Sequence, residues 1–443
     1  MTKTPPTSKS TKPLPGKSQR TRAQILSAAA HLFRDEGHSA ATMRRISQSA
    51  GMEAGSIYYH FASKEEILDA VLEIGLRDLF DKVESHWKQT KGTQNDVRKT
   101  FPEMVDLHLR FLLSRSDFTS ANIRTYPILP NELRARHRPL RKAYAALWDD
   151  MLTWHQDRGL LRTDMQIIPL RQFILGALNW TVEWFDVTRF PVAELSPRVA
   201  KLLLDGMSTE PQRGRPLPQP QAIGTNPAGS SAHKSAKGKA ARSRAQVLSA
   251  AARTIRDHGY KAATMRSIAH EAGSEAGSIY YHFPSKEKIL DEVLDLGLRD
   301  LLNGVRDAVG DATAFDNHRN RIALAMETHL KYLFQASEFT SANIRIYGQL
   351  PKDVRTRHGA IRHEYARLWD DILSDAQKAG TIRSDIKVVP LRQIMLGALN
   401  WTVEWFDPAK SSKDGHYDLT ELTGMLQMLL LDGLLFTGET SAA

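Results

Sequence analysis

The chain contains no cysteine. This absence excludes disulfides, thiolate metal sites and thiol nucleophiles, and it is typical of proteins from a reducing compartment. The first twenty residues contain no apolar run, so no secretory signal is expected there. The longest apolar run, 425–436, is interrupted by Asp432 and is too short to cross a bilayer. We therefore expect a soluble, cytoplasmic protein without membrane contact.

Catalytic signatures are also missing. The sequence shows no nucleophile–base pair, no zinc-binding pattern and no phosphate-binding loop, and histidines such as His31 and His38 have the spacing of surface positions. We predict no catalytic residues, no metal and no cofactor. An enzyme, and a helical scaffold without a role on DNA, are the disfavoured alternatives.

The chain does carry an excess of basic residues and enough length for more than one domain. It has 443 residues, a formal net charge of +10 and a pI near 9.5. Such a charge favours a polyanionic partner. A chain of this length exceeds the size of a single hydrophobic core and suits domains of roughly 200 residues.

An internal duplication organises the whole sequence. The segment Glu-Ala-Gly-Ser-Ile-Tyr-Tyr-His-Phe at 53–61 recurs letter for letter at 275–283. The run Thr-Ser-Ala-Asn-Ile-Arg at 119–124 recurs at 340–345, so the offset falls from 222 to 221 residues. The chain therefore consists of a tandem duplication of one whole domain.

Composition and periodicity divide the chain into six segments. Pro, Lys, Ser and Thr dominate the N-terminus, which we interpret as a disordered solubilising arm, or as a tail that touches DNA phosphates. The predicted segments are a basic tail (1–18), a first head (19–80), a first helical body (81–207), a Pro- and Gly-rich flexible linker (208–241), a second head (242–302) and a second helical body (303–437).

Each head has the pattern of a helix-turn-helix, at about 42–61 and 264–283. Gly37 is predicted to end the first helix, and Thr42 to cap a short helix over 43–50. Gly51 supplies the turn before a second short helix over 54–60. Ser63 and Glu66 form a predicted capping box, which should be weaker in the second copy because Lys288 stands in place of the glutamate.

The bodies show few strand signals, so the fold is predicted to be all-α. The first body should contain long amphipathic helices, with counterparts in the second body, over roughly 97–115, 118–129, 132–158, 166–186 and 193–207.

The second short helix of each head is suited to the major groove. Its small residues allow close approach of the backbone, and its hydroxyls can contact bases or phosphates. Arg44, Arg45 and Lys64 are placed to meet phosphates. Glu53 either accepts from a cytosine amine or complements the helix N-terminus. Phe61 is predicted to lie in the core, Tyr59 either in the core or at a phosphate, and His60 at a phosphate or simply on the surface.

The run 41–68 resembles the DNA-binding signature of the TetR family of bacterial regulators, and 263–290 resembles it equally well. The resemblance implies two tandem units, each with a three-helix helix-turn-helix head followed by a helical ligand-binding and dimerisation body. Together, the resemblance and the types of residue at these positions predict that DNA is bound by Thr42, Arg44, Arg45, Glu53, Gly55, Ser56, Tyr58, Tyr59, His60, Lys64, Thr264, Arg266, Glu275, Gly277, Ser278, Tyr280, Tyr281, His282 and Lys286.

The resemblance also implies a dimer interface in the last two helices of each unit, here 168–186 with 193–207 and 389–407 with 417–436. Leu175, Leu178 and Val182 either form part of that seam or belong to the core. The family's bodies enclose a small-molecule pocket. The candidates for that pocket are Asn122, Arg124, Tyr126, Trp148, Asn179, Trp180, Trp184, Asn343, Arg345, Tyr347, Trp369, Asn400, Trp401 and Trp405.

The stretch Asn-Trp-x-x-Glu-Trp-Phe is similar to one in family members that control fatty-acid or sterol breakdown, which implies an acyl-CoA effector. We expect a repressor that binds an inverted-repeat operator and is released by this effector, with helix 63–80 as the transmitter. A ligand-independent regulator, or an activator, is the alternative.

A 34-residue linker spans about 30 Å as a coil, near the ~34–36 Å between half-sites. It therefore permits an intrachain pseudo-dimer, while a dimer of chains with four heads remains the other assembly.

Overall fold

A computed structural model gives the arrangement of most of the chain. It describes residues 16–93, 96–115, 117–126, 129–163, 165–188, 191–207, 238–310, 318–346, 350, 352–408 and 417–434. The regular elements of these ranges are helices, without an extended strand, so the predicted all-α class is confirmed. No helix in the same ranges combines the length and apolar character that a bilayer span requires. Most of the predicted tail and most of the predicted linker lie outside the described residues, and α1 begins at Lys17, inside the predicted tail.

The described residues of the first unit form ten α-helices. They are α1 (Lys17–Ala40), α2 (Met43–Ser49), α3 (Ala54–Tyr58), α4 (Lys64–Thr90), α5 (Val97–Arg110), α6 (Asp117–Thr125), α7 (Asn131–Gln156), α8 (Ile167–Asn179), α9 (Thr181–Trp184) and α10 (Val192–Met207). A π-helical segment, Phe111–Arg115, follows α5.

The second unit repeats this order. Its helices are α11 (Lys239–Ala262), α12 (Met265–Glu271), α13 (Ala276–Tyr280), α14 (Lys286–Val309), α15 (His318–Lys331), α16 (Glu338–Ile346), α17 (Lys352–Arg357), α18 (Gly359–Lys378), α19 (Val388–Trp401) and α20 (Leu419–Leu434). A π-helical segment again follows the fifth helix. The counterpart of α7 is broken at His358, whose backbone leaves helical geometry, and Gly359 starts the next helix.

Local capping explains most of the boundaries of the heads. The Thr42 hydroxyl accepts the N–H of Arg45, and Gly51 adopts φ 67° in the turn. Ser63 accepts the N–H of Glu66, whose carboxylate in turn accepts the N–H of Ala62 rather than that of Ser63. In the second copy Ser285 makes no side-chain capping hydrogen bond.

The prediction that Gly37 ends the first helix is wrong, because α1 continues to Ala40. A glycine inside a helix costs only about 1 kcal/mol relative to alanine, so packing can carry the helix through it. The matching Gly259 does interrupt the helical geometry of α11, with φ 79°. The two copies therefore treat the same residue type differently.

Each head has its own hydrophobic core, whereas the two bodies share one. The first head packs around Ile25, Phe33, Ile46 and Phe61, and the second head repeats this arrangement. A single large cluster combines body residues of both units, with Trp148 and Trp369 among its fully buried members. The bodies of the two units therefore bury apolar surface against each other.

The shared core is closed by α8 against α19 and by α10 against α20. These are the helices that the sequence predicts for the interface. Gly176 lies under the indole of Trp401, and Gly397 lies in the same way under Trp180. The sequence left open whether Leu175 and Leu178 belong to the interface or to the core. Leu178 is fully buried, and Leu175 is buried except for the part that faces a cavity.

Reciprocal ion pairs join the two units beside this packing. Arg383 of the second unit donates to Asp205 of the first at 3.1 Å, and Arg162 of the first donates to Asp432 of the second at 3.4 Å. Both carboxylates are largely buried. Each carboxylate also faces a second arginine, since Arg319 donates to Asp432 at 3.3 Å and Arg98 lies 3.7 Å from Asp205. The two pairs therefore belong to small charge networks between the units.

Candidate nucleic-acid interface and ligand cavity

The two recognition helices, α3 and α13, expose tyrosines to solvent. Tyr58 and Tyr59 are 58% and 87% exposed, and Tyr280 and Tyr281 are 57% and 84% exposed. Ile57 and Phe61 are buried behind the first pair, so the prediction for Phe61 is confirmed. Each tyrosine combines a ring that can stack with a hydroxyl that can form hydrogen bonds, so the exposed pair can contact a partner.

The small residues at the start of α3 leave an open surface. Gly55 and Ser56 are exposed, and a Cβ at Gly55 would meet no atom within 4 Å. Glu53 is exposed at the N-cap position but makes no capping hydrogen bond. In the second unit, the Ser278 hydroxyl donates to the carbonyl of Glu275 at 2.8 Å. The N-terminal ends of both helices can therefore approach a groove without steric hindrance.

The predicted phosphate-contacting residues fall into two groups. Thr42, Arg44 and Arg45 are exposed at the start of α2, as are Thr264 and Arg266 at the start of α12. Lys64 instead donates to the carbonyl of His38 at 2.9 Å, and it is only half-exposed. Lys286 is also half-exposed.

The remaining predicted contact residues are held beside the tyrosines. His60 lies edge-to-face with Tyr59 and His282 with Tyr281, with ring centroids 5.4 and 5.3 Å apart. His282 also lies 3.1 Å from the Ser243 hydroxyl. Both histidines are half-buried.

The heads differ in the helix that precedes the recognition helix. Ser267 occupies the position of Arg45 and forms a reciprocal capping box with Thr264. The first head therefore presents one more cation at the start of this helix than the second. The residues from Glu53 to Phe61 and from Glu275 to Phe283 remain identical.

A cavity of about 320 Å³ opens in the body of the first unit. Its wall comes from five helices of that unit and one side chain of the other unit. The lining residues are Leu76, Leu79, His108, Ile123, Tyr126, Arg138, Arg141, Lys142, Tyr144, Ala145, Arg171, Gln172, Leu175, Asn179 and Trp401. This volume lies within the range of small-molecule sites.

The inner part of the cavity contains a buried polar cluster. The Tyr144 hydroxyl lies 2.8 Å from Nδ1 of His108, and Nε2 of His108 lies 3.1 Å from Oδ1 of Asn179. This pattern fits a neutral imidazole that accepts at Nδ1 and donates from Nε2. Burial lowers the pKa of His108 to about 4 and raises the pKa of Tyr144, so both groups stay uncharged at neutral pH.

The mouth of the cavity is cationic. Arg138 and Lys142 are exposed there, one helical turn apart on α7, and no described carboxylate pairs with either. Arg141 stacks on the ring of Tyr126 at 3.7 Å and donates to the amide oxygen of Asn122 at 2.8 Å. Arg171 is neutralised by an ion pair with Asp149.

Three of the predicted pocket residues line the cavity, namely Tyr126, Asn179 and Trp401. The others in the first unit lie elsewhere. Trp148 is in the shared core, Trp180 packs on Gly397, and Trp184 lies half-buried at the edge of that core. Asn122 donates to the carbonyl of Leu72 at 2.8 Å.

Arg124 also lies outside the cavity wall. It donates to the carbonyl of Arg34 at the C-terminal part of α1, to the carbonyl of Val182 at 2.6 Å, and to the carboxylate of Glu183 at 3.1 Å. The arginine therefore ties the head to α9, directly after the interface helix α8.

The candidates in the second unit repeat these positions. Trp369 is buried in the shared core, Trp405 packs against that core, and Asn343 donates to the carbonyl of Leu294. Arg345 donates to the carbonyls of Arg256 and Val403, and Asn400 lies 3.1 Å from His329. Tyr347 lies outside the described residues.

Sequence reasoning missed His108, Tyr144 and the cationic mouth. The duplication itself contained a signal for the first two, since His108 and Tyr144 recur as His329 and Tyr365, each pair separated by 36 residues. Arg138 and Lys142 follow the pattern of an ordinary solvated helix face, and only the fold shows that this face borders a cavity.

Two protein-family models each match the chain twice. The model of the N-terminal domain of the bacterial regulatory proteins of the tetR family matches residues 25–71 and 247–293. The model of a tetracyclin repressor-like C-terminal domain matches residues 95–207 and 316–434.

Individual relatives match about one unit. The transcriptional repressor KstR2 of Rhodococcus jostii is 29% identical over 202 residues, which cover 44% of this chain and 93% of the relative. The fatty acid metabolism regulator protein of Bacillus subtilis is 26% identical over 191 residues, covering 43% and 94%. The solved structure of the ketosteroid regulator KstR2 of Mycobacterium tuberculosis is 24% identical, covers 44% of this chain and 95% of its own, and gives a TM-score of 0.38.

With both domain models matched twice in the same order, the chain belongs to the TetR family of bacterial regulatory proteins and carries two tandem units of it.

Proposed function

We propose that the protein is a cytoplasmic repressor in which one chain binds one inverted-repeat operator with its two heads. The observation that carries this proposal is the pair of recognition helices with exposed tyrosines on a chain whose bodies pack together. Each helix enters a major groove, where phosphate contacts position it and the tyrosine and serine hydroxyls contact base edges or phosphates. Two identical helices suit two near-identical half-sites.

The intrachain pairing takes the place of a dimer of separate subunits in this proposal. The shared core, the Trp–Gly contacts and the reciprocal ion pairs support it. Covalent linkage holds the second head at an effective concentration in the millimolar range. Operator binding should therefore resist dilution better than binding by a dissociating dimer.

The effector that fits the cavity is an apolar molecule with an anionic group, and an acyl-CoA thioester belongs to this class. Leu76, Leu79 and Ile123 offer an apolar wall. The mouth offers Arg138 and Lys142, with which no described carboxylate pairs, for phosphate or carboxylate groups. The relative from B. subtilis is called a fatty acid metabolism regulator protein. The presence of a cavity favours an effector-responsive protein over a ligand-independent regulator.

The assembly is tested by light scattering of the full chain with and without an operator. We expect a mass of 49.7 kDa for the free chain and one chain on one palindrome. A dimer of chains with four heads would contradict the pseudo-dimer and would require two palindromes per complex.

The recognition helices are tested by fluorescence anisotropy on a labelled operator. Tyr58→Phe with Tyr280→Phe should weaken operator binding about tenfold, since each change removes a hydroxyl that bonds to DNA. Ile168→Ala, which alters an exposed apolar residue of the body, should leave the affinity unchanged. Equal affinities for both variants would contradict the predicted contacts.

Decanoyl-CoA should release the wild-type protein from the operator, and failure of every acyl-CoA tested would remove this effector class.

A further inference from the structure

The polar cluster at the inner end of the cavity recurs in the second unit. His329 lies 2.7 Å from the Tyr365 hydroxyl and 3.1 Å from Oδ1 of Asn400, which matches the cluster at His108. Burial also lowers the pKa of His329 to about 4. The duplication has therefore kept the neutral polar group that faces the inner end of a ligand.

The residues at the mouth of the cavity differ from their counterparts in the second unit. Arg138 corresponds to Gly359, and Lys142 corresponds to His363, so the second unit has neither of the two unpaired cations. The two cations that both units retain are already occupied. Arg362 donates to Asn343, and Arg392 forms an ion pair with Asp370 at 2.8 Å, as Arg141 and Arg171 do in the first unit.

The backbone changes at the same place. In the first unit α7 runs without a break from Asn131 to Gln156 and presents Arg138 and Lys142 on one face. In the second unit the helix is broken at His358, next to the glycine. The second unit thus lacks both the charges and the continuous helix that would present them.

We propose that the two units are unequal in effector binding, with one high-affinity site per chain for the anionic group, in the first unit. This inference rests on the proposed function and assigns the effector to one of its two possible places. Arg138 and Lys142, with which no described carboxylate pairs, attract an anion and form charge-assisted bonds with it. Arg171 and Arg392 are each paired with a carboxylate and contribute much less. Arg141 and Arg362 are present in both units and are held by asparagine amides, so they do not distinguish the two units. Trp401 closes the wall of this site, so the second unit serves as part of the binding site of the first.

A reciprocal exchange of charge tests the inference by isothermal titration of the full chain with decanoyl-CoA. The wild type should bind one equivalent tightly. Arg138→Gln with Lys142→Gln should weaken that binding by about tenfold to a hundredfold, since two charge-assisted contacts are lost. Lys88→Gln with Arg198→Gln removes the same charge from exposed positions of the same unit and should have no such effect.

The second half of the exchange builds the mouth into the second unit. Gly359→Arg with His363→Lys should add a second tight equivalent and leave the first one unchanged. A Cβ at Gly359 meets no atom within 4 Å, so the backbone has room for the larger residue. Circular dichroism and the thermal midpoint of each variant check that the fold is retained.

The outcomes separate the inference from the proposed function. Two equal sites in the wild type, or equal binding by the charge-loss variant and its control, would overturn the inequality while acyl-CoA release of the operator stands. Failure of Gly359→Arg with His363→Lys to create a tight site would overturn the assignment of the inequality to these two cations, because the difference would then lie elsewhere, for example in the helix break at His358. Absence of any binding to decanoyl-CoA, with the operator still bound, would overturn the effector assignment as well.

Discussion

At the scale of single residues, folding changes the charge behaviour of His108 and His329. Each is fully enclosed and bonded to a tyrosine hydroxyl and an asparagine amide. Protonation would place a hydrogen on Nδ1, which now accepts from the tyrosine, and would bury an unpaired charge. The folded chain therefore keeps both imidazoles neutral.

This neutrality makes stability depend on pH. The pKa of each histidine falls from 6.5 to about 4 on folding, so between these values the unfolded chain binds protons that the folded chain rejects. The contribution of each histidine to the free energy of unfolding is present above pH 6.5 and is lost as the pH falls towards 4. The loss is about 3 kcal/mol for each histidine. We expect His108→Gln with His329→Gln to make the thermal midpoint less sensitive to acid over this window.

Scanning calorimetry across the window measures the effect. His270→Gln, a change at an exposed histidine, serves as the control and should keep the pH dependence of the wild type. An identical pH dependence in all three proteins would show that the two buried histidines do not control acid stability.

At the scale of helices, α6 connects the cavity with the head. Ile123 on this helix lines the cavity, and Arg124, the next residue, donates to the carbonyl of Arg34 on α1. Helix α4 runs alongside it, lines the cavity through Leu76 and Leu79, and is bonded to α6 through Asn122 and Leu72. The predicted transmitter, helix 63–80, corresponds to the N-terminal part of α4, which begins at Lys64 and continues to Thr90. The contacts of α6 add a second connection between cavity and head.

Arg124 should therefore matter more for coupling than for binding. Arg124→Met with Arg345→Met removes the bonds from α6 and α16 to α1 and α11, and it leaves Glu183 without its partner. We expect operator affinity and decanoyl-CoA affinity to change little, whereas decanoyl-CoA should weaken operator binding less than in the wild type. The coupling is measured as the ratio of operator affinities with and without the effector.

Arg110→Met provides a matched control, since Arg110 forms a half-buried pair with Asp106 within one helix. Complete effector release in the Arg124 and Arg345 variant would exclude this arginine as a coupling residue. A loss of operator affinity without effector would instead indicate a structural role for it in the head.

At the scale of the whole molecule, two Trp–Gly contacts determine how closely the bodies approach. A Cβ at Gly176 would lie 2.7 Å from Cβ and Cγ of Trp401, and one at Gly397 would lie 2.6 Å from Cβ of Trp180. Real Cβ atoms do not approach other carbons so closely, so α8 and α19 would have to separate. Overpacking of this kind costs about 1–3 kcal/mol at each site.

The same substitution should thus change stability in opposite directions at different glycines. Gly176→Ala with Gly397→Ala should lower the thermal midpoint and loosen the pairing of the units. Gly424→Ala, inside α20 with no atom within 4 Å of its Cβ, should raise the midpoint, because alanine restricts the unfolded chain and favours a helix. Calorimetry and light scattering measure both effects. An unchanged midpoint in the first variant would contradict the tight contact.

The sequence by itself determined the features that depend on local chemistry or on repetition. The duplication, the all-α class, the capping at Thr42, the turn at Gly51 and the buried position of Phe61 all follow from residue type and spacing. Helix periods and caps act over a few residues, so they can be recognised without the fold.

Only the tertiary structure decided which surface each apolar or charged side chain meets. Trp180 and Trp401 occupy equivalent positions in the two copies, and each packs on a glycine of the opposite unit. Trp401 in addition lines the cavity of the first unit, which the sequence does not reveal. Arg124 looks like a pocket residue and instead joins a head to a body. Periodicity identifies the face of a helix, but the partner of that face depends on contacts between residues far apart in the chain.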